Sequence, residues 1–93
     1  MKITVRFYGV AFESTGIREW TPGLTRGSKV IDLLDTMVNE YPRLHNLVFD
    51  ENGAPLEYLS ISVNNVDILG LKGPQTELHE DDTVLVMPPI GGG

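Results

Sequence analysis

The stretch SKVIDLLDTMVNEYP, Ser28 to Pro42, constrains the fold more than any other part of the chain. Val30, Leu33, Leu34, Met37, Val38 and Tyr41 recur at the spacing that aligns side chains along one side of an α-helix. Asp32, Asp35 and Glu40 fall off that stripe. Ser28 is a favourable N-cap, because a serine hydroxyl accepts from the orphan amides of the first turn. Pro42 ends the helix, since the residue before a proline is biased away from helical backbone. A helix apolar on one side only must bury that side against a second layer.

The flanking segments supply strands for that layer. KITVRFYG alternates, with Ile3, Val5 and Phe7 on one face and Thr4, Arg6 and Tyr8 on the other. VAFESTG reads as a hairpin loop ending at Gly16, and IREWTPG as a second strand, Ile17 and Trp20 inward, broken at Pro22-Gly23. PRLHNLVF adds a short helical turn with Leu44, Leu47 and Val48 inward, and DENGAP is loop. LEYLSISVNN alternates again, Leu59, Ile61 and Val63 inward against Ser60 and Ser62 outward. VDILGLKGPQTEL is irregular, a short strand followed by a turn at Gly73-Pro74. DDTVLVMPP is the last strand, with Val84 and Val86 toward the core and Thr83, Leu85 and Met87 on the other side. The expected core therefore includes Val5, Phe7, Leu34, Val63 and Val86. The fold class is α+β, a mixed sheet packed on one main helix with its opposite face open to solvent or a partner. This order and length resemble the β-grasp of ubiquitin-like proteins.

Ninety-three residues make one domain. A chain of this size buries roughly 60–65% of its unfolded surface, enough for one core but not for a deep enclosed active site with its supports. Thirteen acidic against seven basic residues give a net charge of -6, which argues against nucleic acid or an anionic membrane as partner. The absence of cysteine excludes disulfides, thiolate metal sites and a cysteine nucleophile. No stretch approaches the ~20 apolar residues of a membrane span, and the N-terminus enters a strand directly, so the expected location is the cytoplasm. His45 and His79 lack a ligand pattern, and no metal site is expected. Glu80-Asp81-Asp82 reads as a solvated turn before a strand. Ser14, Ser28, Ser60 and Ser62 have no nucleophile-elbow setting, and the glycines form no nucleotide cradle. No side-chain constellation supports autonomous catalysis. The chain is not expected to be an enzyme or to bind a cofactor.

The chemistry that is left lies in the ending, VLVMPPIGGG. Terminal glycines contribute almost nothing to a fold, because glycine has the most conformational freedom to lose. They suit an extended use: an α-carboxylate on a backbone without side chains can thread a channel that any Cβ would block. A carboxylate acylates poorly until it is activated, typically as an acyl-adenylate by a separate ATP-using enzyme. Sulfide or an amine then displaces AMP to give a thiocarboxylate or an amide. Pro88-Pro89 hold the exit from the last strand extended. The division expected is a domain over 1–88 and a glycine tail over 89–93. An ordinary fraying tail on a plain β-grasp interaction module is the alternative of another class.

VRFYG, SKVIDLLDTMVNEYP, ISVNNVDI, LHEDDTVLVMPP and the terminal glycines fall in the order and about the spacing of one family. The chain resembles the MoaD/ThiS family of ubiquitin-like sulfur carriers almost end to end, and Pro88-Pro89 favour its MoaD-like members, small subunits of molybdopterin synthase. The resemblance implies that the Gly93 carboxylate is adenylated by a ubiquitin-activating-type adenylyltransferase using ATP. It is then thiocarboxylated and donates sulfur within the large subunit of molybdopterin synthase or another sulfur acceptor. Gly91 and Gly92 give access. Asp81 stands where the family usually has glycine, a position an aspartate tolerates at positive φ. Ala11-Phe12-Glu13 replaces a loop that usually carries a basic residue, and Gly91 replaces a Ser, Ala or Thr. The longer DENGAPLEYL and LGLKGPQTEL segments resemble archaeal small modifier proteins and carriers serving cysteine or thio-tRNA synthesis. Strand alternation further predicts that Tyr8, Leu85 and Met87 form one exposed apolar patch at the root of the tail, Arg6 at its edge, where activating enzyme and acceptor dock in turn.

Overall fold

The computed structural model of the chain describes residues 1–56 and 59–87. Pro88-Pro89 and Gly91, Gly92 and Gly93, to which the tail chemistry was assigned, lie outside the described residues.

Alternation makes the strands. β1 (Thr4–Phe7), β3 (Ser60–Val63) and β5 (Thr83–Met87) each bury every second residue: Val5 and Phe7, Ile61 and Val63, Val84 and Val86. Two short edge strands, β2 (Glu19–Trp20) and β4 (Val66–Asp67), complete a five-stranded sheet in the order β2-β1-β5-β3-β4. β1 and β5 run parallel, with Arg6 beside Leu85 and Phe7 beside Val86, and the other neighbours are antiparallel. The β3–β4 hairpin turns through Asn64 and Asn65, both at positive φ, as a two-residue turn that follows the strand twist requires. The inward residues of the sheet meet Val30, Leu33, Leu34 and Met37 of the main helix, and together they form one core. This is the β-grasp architecture.

The main helix covers Val30–Glu40, with Val38 and Tyr41 half-buried at the end of its stripe. Its N-terminus differs from expectation. Lys29, not Ser28, is the N-cap, and the side chain of Asp32 accepts from the Lys29 N–H at 2.8 Å. Ser28 lies in the preceding turn, where its carbonyl accepts from Leu78 N–H at 2.9 Å. The stretch Pro42–Val48 forms a 3-10 turn and one helical turn, burying Leu44 and Val48 and half-burying Leu47.

The segment expected as a hairpin loop is instead a helix, Gly9–Thr15, two turns long. Ala11 is buried in the core and Phe12 packs against it. Thr15 Oγ1 bonds back to the Ala11 carbonyl at 2.9 Å, and Gly16, at φ 74, ends the helix with its N–H on the Phe12 carbonyl. Seven residues are too few for a periodic stripe to stand out, and a packing contact decides the conformation.

Candidate functional site: the open sheet face and the root of the tail

β5 occupies the centre of the sheet, between β1 and β3. The strand from which the chain continues into Pro88 is thus hydrogen-bonded on both sides, the firmest mounting the fold offers. Its last residue, Met87, pairs in register with Ser60 of β3.

The face opposite the helix carries the alternate residues of the same strands. One cross-strand row reads Glu19, Arg6, Leu85, Ser62, Asp67; another continues from Ser60 through Met87. One step further along the β1–β5 register, Tyr8 comes beside Met87, and the Tyr8 N–H donates to the Val86 carbonyl at 3.3 Å. Tyr8 is 38% exposed, Met87 41%, and Leu85, two residues before Met87 on the same strand, is half-buried. The expected residues do share one face at the end of β5. Arg6 borders them, beside Leu85 in register and with Glu19 on its other side. Its Nε donates to Tyr8 Oη at 3.3 Å and its Nη1 to Glu19 Oε1 at 3.3 Å. The surface is therefore an apolar strip bordered by one oriented guanidinium, which is paired with Glu19.

Beneath this face, Phe7, Trp20 and Tyr41 form an aromatic cluster, Phe7 stacked on Trp20 at 6.2 Å and Tyr41 set edge-on to both at 5.8 and 5.4 Å. Burial, and then the neighbouring Glu40 carboxylate, raise the Tyr41 phenol above its ordinary range.

At the other end of β5 the acidic turn is not uniformly solvated. Asp82 is 8% exposed. Its carboxylate accepts from Asn64 Nδ2 at 2.8 Å and from the His79 N–H at 2.7 Å, while Asn64 Oδ1 accepts from the Thr83 N–H at 2.9 Å. Asp82 thus clamps the β3–β4 hairpin to the start of β5. Glu80 and Asp81 are exposed as expected, and Asp81 adopts φ 65, the positive value anticipated at that position. The clamp needs a residue eighteen positions away, which no local pattern reveals.

The His45 ring lies 3.2 Å from Asn46 Oδ1 and packs by the Phe49 ring, and His79 lies 3.8 Å from Glu77 and 4.0 Å from Asp82. Among the described residues no group of three His, Cys, Asp or Glu is arranged to hold a metal, and no helix is long and apolar enough to cross a membrane.

Comparison with known proteins agrees with this layout. The family model described as the ThiS family matches residues 5–93. Small archaeal modifier protein 3 of Haloferax volcanii is 27% identical over 93 residues, covering all of both chains. The solution structure of small archaeal modifier protein 1 from Methanosarcina acetivorans superposes with a TM-score of 0.87 at 26% identity, covering 99% of this chain and 96% of that one. A molybdopterin converting factor subunit 1 from Pyrococcus furiosus has a TM-score of 0.77 at 24% identity over 97% of this chain and 99% of its own. That last likeness is one of fold.

Proposed function

Since the chain belongs to the ThiS family, whose members are small ubiquitin-like carriers and modifiers, we propose that its Gly93 carboxylate is the group it carries. The observation that supports this most is the match running through residue 93 onto a tail that follows the central strand of the sheet. In this reading a ubiquitin-activating-type adenylyltransferase joins the carboxylate to the AMP of ATP and releases pyrophosphate. Sulfide then attacks the acyl carbon, AMP leaves, and a thiocarboxylate results. The chain is a co-substrate and not the catalyst, and the ATP belongs to the activating enzyme. The large subunit of molybdopterin synthase is the acceptor proposed first, on Pro88-Pro89 before the terminal glycines. The cytoplasm, where ATP is at hand, is the compartment proposed. The functional division is a folded domain over 1–88 and a working tail over 89–93.

Full-length similarity to small archaeal modifier proteins favours a second destination for the same acyl-adenylate. A lysine amine attacks in place of sulfide, AMP leaves, and the chain becomes joined to another protein through an amide.

Incubating the full chain with ATP, sulfide and a cognate adenylyltransferase and weighing it intact tests both. Carriage gives a gain of about 16 Da, sulfur replacing oxygen by covalent modification. Attachment to lysines in an ATP-supplied extract supports the modifier reading. Neither product, with enzyme active on a control carrier, leaves a plain interaction module. Deleting Gly93 should abolish either product and leave the melting temperature within about 2 °C, since termini add little to stability.

A further inference from the structure

The loop that follows Phe49 carries the one Asn-Gly step of the sequence, Asn52-Gly53. Such a step can react with itself. The Gly53 backbone nitrogen and the Asn52 side-chain amide carbon are the two ends of a five-membered ring, and glycine, without a Cβ, leaves its nitrogen open to closure. Both residues are exposed, so water and base reach them. Asn39, Asn46, Asn64 and Asn65 each precede a residue with a Cβ, which crowds the same attack. The nitrogen, its proton lost to base, bonds to Cγ of Asn52, the Cγ–Nδ2 bond breaks and ammonia leaves. Water then opens the imide at either carbonyl, giving aspartate or isoaspartate at position 52.

The fold holds this step shut, and one residue does most of the holding. Asp50 Oδ1 accepts from the Asn52 N–H at 2.8 Å and from the Ala54 N–H at 3.0 Å. The Asp50 carbonyl accepts from the Gly53 N–H at 3.0 Å, and the Asp50 N–H donates to the Ala54 carbonyl at 2.8 Å. Gly53 completes the turn at φ 80, a value that glycine adopts freely. A bridge between Phe49 and Pro55 and a bond from the Leu56 N–H to the Val48 carbonyl at 2.8 Å pin the ends of the loop. The attacking nitrogen therefore has its N–H directed at a carbonyl. It cannot lose that proton and swing onto the Asn52 side chain while the turn is intact.

We propose that Asn52 is a site of spontaneous deamidation guarded by Asp50, so that conversion proceeds only when this turn opens. The product adds a negative charge to a chain that already carries -6. As isoaspartate it also lengthens the backbone by one carbon, inside a turn whose ends are pinned beside the buried Val48 and Phe49. The change is covalent and stays when the loop closes, so it records how often the loop has opened. It does not rest on the reading of the tail.

The test holds the full-length chain in neutral buffer below its melting temperature and follows it by peptide mapping. A gain of about 1 Da, oxygen and hydroxyl chemistry replacing an amide, marks each converted site. Conversion is expected at Asn52 before any other asparagine, and at least tenfold slower in the folded chain than in the same chain unfolded in guanidinium chloride. Asp50→Ala should speed the folded chain about tenfold, the factor that two net hydrogen bonds represent. Asp50→Asn keeps an oxygen acceptor and should stay within about threefold of the parent. Melting temperatures within about 2 °C of the parent exclude global unfolding as the route. Hydrogen exchange at the Gly53 amide of the parent is a second measure that needs no variant, and protection of at least about tenfold is expected there. Equal rates in folded and unfolded chain, faster conversion at another asparagine, an unprotected Gly53 amide or an unchanged rate in folded Asp50→Ala would each overturn the proposal.

Discussion

Asp82 has both carboxylate oxygens committed, one to the Asn64 amide and one to the His79 N–H, and it is the only buried carboxylate among the described residues. Replacing it with alanine leaves two donors short of an acceptor at the junction of hairpin and last strand. Each buried donor without a partner costs about 1–3 kcal/mol, and partial access of water brings Asp82→Ala to about 2–3 kcal/mol in total. Urea unfolding of the variant measures this directly, and a loss under about 0.5 kcal/mol would mean that water substitutes fully for the carboxylate. The sequence presented Glu80-Asp81-Asp82 as three equivalent acids, and only Asp81 carried a legible signal, its stand-in for glycine at φ 65. Asp82 differs from its neighbours because it immediately precedes β5 and falls in phase with the inward Val84 and Val86. A residue just outside a strand cannot be phased until the strand's boundary is known.

Among the elements, those whose own sequence buries a face were readable and those fixed by a neighbour were not. The main helix and β1, β3 and β5 each carry enough periodic apolar residues to set their phase, so Leu34, Val5, Phe7, Val63 and Val86 were expected inside and lie there. Gly9–Thr15 was legible only as a break, because its helix rests on Ala11 and Phe12 meeting a core assembled from elsewhere. The N-cap was displaced by one residue for a related reason: Leu78 pairs with the Ser28 carbonyl and holds Ser28 in the turn. Leu34→Ala should cost about 2–5 kcal/mol, from lost transfer energy and the cavity it leaves under the sheet. A midpoint shift in urea worth under about 1 kcal/mol would contradict close packing there. At the helix's far end, burial and the Glu40 carboxylate hold the Tyr41 phenol above its ordinary range. The folded state keeps that proton longer than the unfolded chain does, so the contribution is intact below the unfolded value of about 10 and is lost as pH rises through the folded one. Tyr41→Phe keeps the ring against Phe7 and Trp20 and removes the titration. Stability followed against pH should fall less steeply above about pH 10 in the variant than in the parent, and parallel profiles would show that Tyr41 does not report on the fold.

Across the whole molecule, the fold separates duties by surface. The helix side of the sheet is consumed by the core, the central strand leads to the tail, and the open face flanks its root. That the face exists and carries Arg6, Tyr8, Leu85 and Met87 followed from alternation; what holds Arg6 there did not, because its partner Glu19 lies on another strand. Register between distant strands decides such neighbours, and register is invisible in a single strand's pattern. A docking role for this face makes a sharp demand. Tyr8 and Met87 project from the sheet with more than a third of their surface exposed, so a charge introduced at either need not disturb the core. Met87→Asp should therefore leave urea stability within about 0.5 kcal/mol of the parent. On the docking reading it should nevertheless weaken both the activating enzyme and the sulfur acceptor at least tenfold, since a charge there opposes an apolar contact. Tyr8→Asp should do the same, and it also removes the phenol oxygen that accepts from Arg6 Nε. Measuring thiocarboxylate formation against enzyme concentration separates the effects: a docking defect raises the concentration needed, whereas a defect in tail chemistry lowers the final yield. Normal concentration dependence in both folded variants would remove the sheet face from the docking path and leave recognition to the tail itself.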